Sequence, residues 1–472
     1  MKTVTSLLTV CLALAACSQQ PTPPDSAIPS PADWQYAGHL TQAADDRLWW
    51  QHFNSPELDT LISQARAGSH DLAAAMARVR QAQASARIAG APLLPELNGN
   101  LTNNRQSLIS GDGYRQLDVD RYDRNAEYFE TSLVASYELD FWGGKQAAVD
   151  SAGMSLRASE FDRSTVELTL LSGVASTYLQ ARALQAQAGI AELNLTNAER
   201  VLQLVQTRFQ SGAATALELA QQKSLVATQQ RQLPLLRQQA REALISLATL
   251  LGEPVQNLRV LGVDFESLTS PDIGAGLPSE LLGRRPDIAA AEARLSAAQA
   301  DVRVARAAML PKITLTATLG SGADKAHDIL QNPFYNLTSG LVAPIFNNGR
   351  LRGERDRNVA KQQELLENYR GTIVSAFADV EKALNSIDGL DQQHRWQHEE
   401  LSQAQRAFDI AEARYRVGAE DLLTVLQTQR TLYEAQNLNV QLRLSRLQAS
   451  VALYRALGGG WKARAEKLHR RS

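Results

Sequence analysis

Cysteine is nearly absent: there are two in 472 residues, Cys11 and Cys17. Two thiols crowded at one end supply neither a disulfide framework nor a cysteine-based metal site. Aromatic residues make up 6% of the chain. Neither sign of charge prevails, with 48 basic and 50 acidic residues and a net charge of −2, so no basic footprint for nucleic acid is present. Past the first twenty residues there is no apolar run of the ~20 residues that a membrane-spanning helix needs. No glycine-rich phosphate loop and no convincing nucleophile context appears. Among seven histidines only His394 and His398 have ligand spacing, and Arg395 stands where a His-Glu-x-x-His site would need Glu. Two solvated histidines on a helix is the plainer reading, and it leaves no metal site and no enzyme. Proline is missing from residues 145–210 and 350–417. Both tracts are rich in Ala, Gln, Leu and Arg, a composition suited to long helices.

The N-terminus carries Lys2 and then the apolar run "VTSLLTVCLALAAC", too short to span a bilayer and shaped like a secretory signal. Its end, Leu14-Ala15-Ala16-Cys17, resembles a bacterial lipobox. Cleavage of residues 1–16 would leave Cys17 to carry S-diacylglycerol and N-acyl chains, followed by the polar tether "SQQPTPPDS". Ser18 follows the cysteine, and by the same resemblance this favours the outer membrane.

The chain repeats itself. Residues 77–97 match residues 293–313 at a constant offset of 216, with ten of 21 positions identical, including Arg78/Arg294, Gln83/Gln299 and Pro95/Pro311. Farther on, Gly212 pairs with Gly418 and Gly252 with Gly458, both at an offset of 206. Two copies of one unit follow, residues 57–252 and 286–457. Residues 17–56, 253–285 and 458–472 lie outside them. Each copy reads as helix, two strands, long helix, returning helix.

The first helices are expected at about 57–91 and 286–310. Ser55-Pro56 and Pro286-Asp287 supply their start signals, and Pro95 and Pro311 their ends. Strand signals lie within about 95–142 and 312–346. Leu133, Ala135, Tyr137, Leu139 and Phe141 alternate with mostly polar residues. So do Ile313, Leu315, Ala317 and Leu319, and so do Tyr335, Leu337, Leu341, Ala343 and Ile345. Period two gives one apolar and one polar face. A soluble antiparallel sheet would alternate equally well; the long polar loops between the strands also fit an outer-membrane barrel.

Two helical hairpins follow, at about 145–251 and 350–457, with their tips at Gly212 and Gly418. Glycine there suits a left-handed C-cap, and Thr215 and Asp421 suit the N-caps of the returning helices. The outward arms from Gly144 and Gly349 measure 68 and 69 residues, and both return arms measure 40. Each outward arm would be ~100 Å long at ~1.5 Å per residue and would overhang its partner by ~42 Å. The first helix of each copy has about that length, and stacking it on a return helix would bring the chain back to its strands. Four strands do not close a barrel, which needs about eight, and an open edge cannot face lipid. Strands in a membrane would therefore require several copies around a shared pore.

Taken together, Leu14-Ala-Ala-Cys17, "WWQHFNSPELDTLISQA" (49–65), "GRRPDIAAAEARLSAAQADV" (283–302), "LVAPIFNNGRLR" (341–352), "RYRVGAEDLLTVLQTQR" (414–430) and "LYRALGGGW" (453–461) resemble the TolC-like outer-membrane efflux proteins, in their lipid-anchored NodT-type branch. The resemblance runs along nearly the whole chain. It implies a mainly α protein with a small β part. Three copies would share one twelve-stranded β-barrel and one long α-helical barrel, with a mixed belt from residues 18–56, 253–285 and 458–472. It implies a periplasmic adaptor and an inner-membrane pump, usually proton-driven, as partners, a passive path for small toxic molecules such as drugs, dyes or metal ions, and no cofactor. A protein-secretion duct would use the same architecture; an adaptor or scaffold lipoprotein would lack the paired strands. The family's constriction positions fall on Leu423 and Gln427, about one helical turn apart. A carboxylate is common in the family where Gln427 stands, so this chain departs from the pattern and would place a neutral ring there. Arg414 and Tyr415 match positions that lock neighbouring helices. Arg208, Phe209, Gly212, Ala213, Gly418 and Ala419 are expected to form the tips that dock the adaptor.

Overall fold

In the computed structural model, residues 28–36, 48–107, 109–110, 114–115, 122–123, 125–260, 262 and 264–461 are described. The expected Cys17 lipid site, the expected signal segment and most of residues 458–472 lie outside them. The chain divides into two compact units. One draws on residues 85–154 and 294–370, the other on residues 30–84, 155–293 and from 371 on.

The elements, in order, are α1 (Pro56–Gly68), α2 (His70–Gly90), β1 (Glu96–Ser107), β2 (Asn125–Leu139), α3 (Gly144–Gln210), α4 (Ala216–Leu251), a short α5 (Pro278–Leu281), α6 (Pro286–Ala307), β3 (Lys312–Ala323), β4 (Pro333–Val342), α7 (Arg350–Arg416) and α8 (Leu422–Ala456). A two-residue ribbon, Tyr114–Arg115 with Tyr122–Asp123, decorates the β1–β2 loop. The two halves repeat the same sequence of elements. Both α3 and α7 have 67 residues, and α4 and α8 have 36 and 35. α4 continues through Pro234.

The helix expected over 57–91 is two helices. Ser69 takes an extended conformation between α1 and α2, and its Oγ accepts the Leu72 N–H at 3.4 Å as the cap of α2. The break coincides with a close helix-end contact. α4 ends at Gly252 in a left-handed cap (φ +78), and a Cβ on Gly252 would overlap the Gly68 carbonyl. The end of α4 thus meets the α1–α2 joint. The second copy repeats the arrangement, since a Cβ on Gly458 would overlap the Arg284 carbonyl just before α6.

In the first unit the strands form one antiparallel sheet in the order β1-β2-β3-β4. β1 begins at Glu96 and β3 at Lys312, each directly after its proline. Phe141 falls beyond β2, and Ala343 and Ile345 fall beyond β4, so both alternating runs leave the sheet earlier than their pattern. β3 extends instead through Ser321, Gly322 and Ala323, which read as loop. The register aligns the alternation across all four strands. One row is Leu97, Ala135, Ala317 and Leu337; Leu133, Leu319 and Tyr335 form another. The opposite face carries Asn98, Val134, Thr318 and Asn336, then Glu96, Ser136, Thr316 and Thr338. One face is thus mostly apolar and largely exposed, with Leu101 77% and Leu337 75% accessible, interrupted by Thr131, Ser321 and Ser339. From Phe129 to Leu139 on that face is ten residues, ~33 Å along the strand and ~25 Å of height at a tilt of ~40°, the thickness of an outer-membrane apolar band. Among the described residues no helix is long and apolar enough to cross a membrane.

The passage from strand to helix is built from a few polar contacts. Asp140 accepts the Lys145 and Gln146 N–H groups at 2.9 and 2.8 Å and caps α3. Trp142 Nε1 donates to the Pro311 carbonyl at 2.7 Å, tying the two copies together at this level. In the second unit, Trp49 is 1% exposed and stacks on Tyr454 of α8, with ring centroids 5.2 Å apart. Ser55 Oγ accepts the Leu58 N–H and bonds the Tyr178 hydroxyl, which also donates to Glu57 at 2.9 Å. Burial pushes the Tyr178 phenol up to about 12. The segment "WWQHFNSPELD" is therefore a bracket between α1, α3 and α8.

Candidate functional site

The two hairpin tips are the same object made twice. At the end of α3 the Ala213 N–H donates to the Arg208 carbonyl (2.7 Å) and the Gly212 N–H to that of Phe209 (3.1 Å). At the end of α7 the Ala419 N–H donates to Arg414 (2.9 Å) and the Gly418 N–H to Tyr415 (3.0 Å). Paired six-to-one and five-to-two bonds with a left-handed glycine, φ +81 at Gly212 and +78 at Gly418, define a Schellman motif. Glycine meets the demand because a Cβ at positive φ is strained.

The return helices start as their sequences indicate. Thr215 and Glu218 form a capping box, with the Thr215 Oγ1 accepting the Glu218 N–H at 3.2 Å and Glu218 accepting the Thr215 N–H at 2.6 Å. Asp421 accepts the Thr424 N–H at 2.8 Å. Hydrogen bonds from the Thr424 amide and side chain hold the Asp421 carboxyl below its ordinary range.

All four long helices contribute to one apolar core beneath the tips, including Val201, Val205, Leu225, Phe408, Tyr415 and Leu426. Tyr415 is 1% exposed. The Arg208 guanidinium lies 4.6 Å from its ring centroid and donates to its carbonyl at 2.5 Å. Among the described residues the Tyr415 hydroxyl has no hydrogen-bond partner. Burial, with the Glu218 charge adding and Arg208 opposing, raises its pKa. Arg414 turns the other way: its Nε is 3.3 Å from Glu420 and its Nη2 donates to the Ala419 carbonyl, bracing its own turn. Phe209 is 41% exposed beside the first tip.

Leu423 and Gln427 share the exposed face of α8, Leu423 being 62% accessible. Their neighbours Leu422, Val425, Leu426 and Gln429 point into the core. Leu217, at the matching place in the first copy, is 67% exposed, and Gln221 is half-buried.

Several tip residues escaped the sequence reading. Glu412, 8% exposed, receives Arg200 from the other hairpin at 2.9 Å and Arg416 from its own helix at 3.2 Å. Gln222, fully buried, donates to the Ala198 carbonyl at 2.8 Å and closes the first hairpin. Tyr433 donates to the Asn194 carbonyl at 2.8 Å and accepts from Gln429 at 2.6 Å, joining the hairpins lower down. Burial raises the Tyr433 pKa above the ordinary phenol range.

A duplicated chain that pairs two capped helical hairpins with a strip of half-apolar strands is built as a wall segment of a channel. The chain belongs to the outer membrane efflux protein family, whose model matches residues 61–253 and 277–459. It is 62% identical over 467 residues to the pyoverdine export outer membrane protein OpmQ of Pseudomonas aeruginosa, covering 99% of this chain and 98% of that one. It is 30% identical to the cation efflux system protein CusC of Escherichia coli O157:H7, over 96% of this chain and 98% of the relative. Among solved structures, the outer-membrane channel OprN superposes with a TM-score of 0.86 at 27% identity, over 95% of this chain and all of that one. VceC of Vibrio cholerae superposes with 0.82 at 27%, over 89% and 100%. The protein is an outer-membrane efflux component of the kind that serves tripartite pumps.

Proposed function

We propose that three copies of this chain close a twelve-stranded barrel and a helical duct, through which a pyoverdine-like product leaves the periplasm passively. The observation that carries the reading is the sheet itself. It has four strands, an apolar face running across all of them, and two unpaired edges at β1 and β4. In lipid each unpaired backbone group costs several kcal/mol, on the order seen for unsatisfied polar groups in hydrocarbon. Edge-to-edge closure between copies removes that cost. The cargo class comes from the 62% identical pyoverdine exporter, which narrows the broader expectation of drugs, dyes and metal ions.

In this reading the duct performs no chemistry, needs no cofactor and is not an enzyme. A periplasmic adaptor docks on the tips at residues 208–215 and 414–422. A proton-driven inner-membrane pump supplies the work. Cys17 carries the lipid anchor. Leu423 and Gln427 narrow the resting entrance, the leucine ring sealing by dewetting. Arg414 and Tyr415 hold the closed arrangement. A polar cargo crosses the membrane in water and avoids the desolvation penalty of several kcal/mol.

Deletion of the gene tests the function. Cells lacking it should accumulate pyoverdine in the periplasm, and a plasmid copy should restore its release to the medium. Unchanged secretion, with no periplasmic pool, would remove the cargo assignment. The mass of the detergent-solubilised particle tests the trimer.

A further inference from the structure

The polar face of the sheet contains a feature that neither lipid contact nor strand geometry requires. Gly320 and Gly322 of β3 both lie on that face, in register with Ser132 and Phe334 and with Glu130. Neither has a positive φ, so glycine is not there for its backbone freedom. It is there for space. A Cβ on Gly320 would come within 2.7 Å of the Phe334 ring, and one on Gly322 would overlap the Tyr128 hydroxyl. Phe334 comes from β4 on one side and Tyr128 from β2 on the other. Two rings thus lie across one strand from opposite sides, still 39% and 42% exposed. Glu130 is on the same face, two residues from Tyr128 and opposite Gly322. All of these residues sit at the hairpin-loop end of the sheet, away from the strand ends that lead into α3 and α7.

A barrel turns its apolar face to lipid and its polar face to the pore. The rings are therefore on the pore wall near the outer mouth, where an apolar surface gains nothing from lipid. We infer that Tyr128 and Phe334, with Glu130 beside them, form an aromatic strip on the pore wall that stacks against planar, cationic aromatic groups of exported molecules as they leave. The chemistry follows from the parts. Ring faces attract cations and flat π-systems, and the carboxylate favours the positive ones. Covering each glycine with a ring keeps the strip flat against the wall, so the strip adds an adhesive step without closing the pore.

The inference rests on the closed-barrel reading, and bilayer recording of the purified full-length protein separates the two. The probe is N-methylquinolinium, added at the outer mouth; the control is N,N-dimethylpiperidinium, with the same charge and no π-system. Wild type is expected to be blocked by the aromatic cation with dwell times on the order of three- to tenfold longer than by the saturated one. The double variant Tyr128→Leu/Phe334→Leu should lose that preference while conducting within about twofold of wild type. Phe334→Leu alone, if the double variant does not assemble, should lower the preference. Absence of channels in wild type would overturn the barrel reading. Channels without an aromatic preference, or a preference that survives the leucine variants, would overturn the strip alone.

Discussion

Arg208 of the first hairpin engages Tyr415 of the second in two ways: its guanidinium covers the ring at 4.6 Å and its Nη1 bonds the Tyr415 carbonyl. The pairing is asymmetric, because the hydroxyl of the same tyrosine has no partner among the described residues. Tyr415 works through its ring and its backbone, and its polar tip is a burden. Tyr415→Phe should therefore leave stability within about 1 kcal/mol of wild type, and on the stabilising side, since an unsatisfied buried hydroxyl costs ~1–3 kcal/mol. Tyr415→Ala should cost about 3–5 kcal/mol through the cavity it leaves. Thermal denaturation of the two variants, followed by helical circular dichroism, checks the order. A phenylalanine variant as damaged as the alanine variant would mean that the hydroxyl is engaged.

The helix joints give a second expectation. Gly252 faces the Gly68 carbonyl with no room for a Cβ and at positive φ, whereas a Cβ on Gly371, inside α7, meets nothing within 4 Å. Gly252→Ala should destabilise by more than ~1 kcal/mol, because overlap adds to the left-handed strain. Gly371→Ala should stabilise by up to ~1 kcal/mol from helix propensity. Opposite shifts in melting temperature are the expected result, and a neutral Gly252→Ala would show that α4 does not abut the α1–α2 joint.

These joints also show what was legible beforehand. The tips were readable because glycine at Gly212 and Gly418, with Thr215 and Asp421 after them, are local signals whose physics involves only neighbours. The apolar alternation of β3 and β4 was readable for the same reason. β1 falls inside the expected 95–142 strand region, but its alternation was not legible, since "ELNGNLTNNRQS" places an apolar residue only at Leu97 and Leu101. The break at Ser69 lies against Gly252, 183 positions away. Buried polar links were the least visible. Gln222, Gln397 and Glu412 carry no local signal of burial, yet each is under 9% exposed, met by a carbonyl or a guanidinium from another helix.

Acid should loosen the second tip through Asp421. Its folded carboxyl lies below the ordinary value of ~3.9. A depressed carboxylate contributes its full stabilisation above the unfolded value and loses it as pH falls through the folded one. The cap should therefore be complete at neutral pH and fail below about pH 4. Asp421→Asn keeps a capping oxygen without the charge. Amide exchange at Thr424, measured across this range, should show acid-dependent opening in wild type and little pH dependence in the asparagine variant.

The last expectation concerns the exposed face of α8. Leu423 and Gln427 point away from the core, so changing them should leave the fold intact; Leu422 and Leu426, 1% and 4% exposed, should cost about 2–5 kcal/mol each as alanine. If the exposed pair forms the entrance constriction, Leu423→Ala with Gln427→Ala should raise single-channel conductance without lowering the melting temperature. Gln427→Glu should separately shift the reversal potential toward cations, because a ring of charge at a narrow point sets selectivity. Bilayer recordings decide it. A double alanine variant that conducts like wild type would move the constriction elsewhere, first to Leu217 and Gln221 on α4, which occupy the matching positions of the first copy.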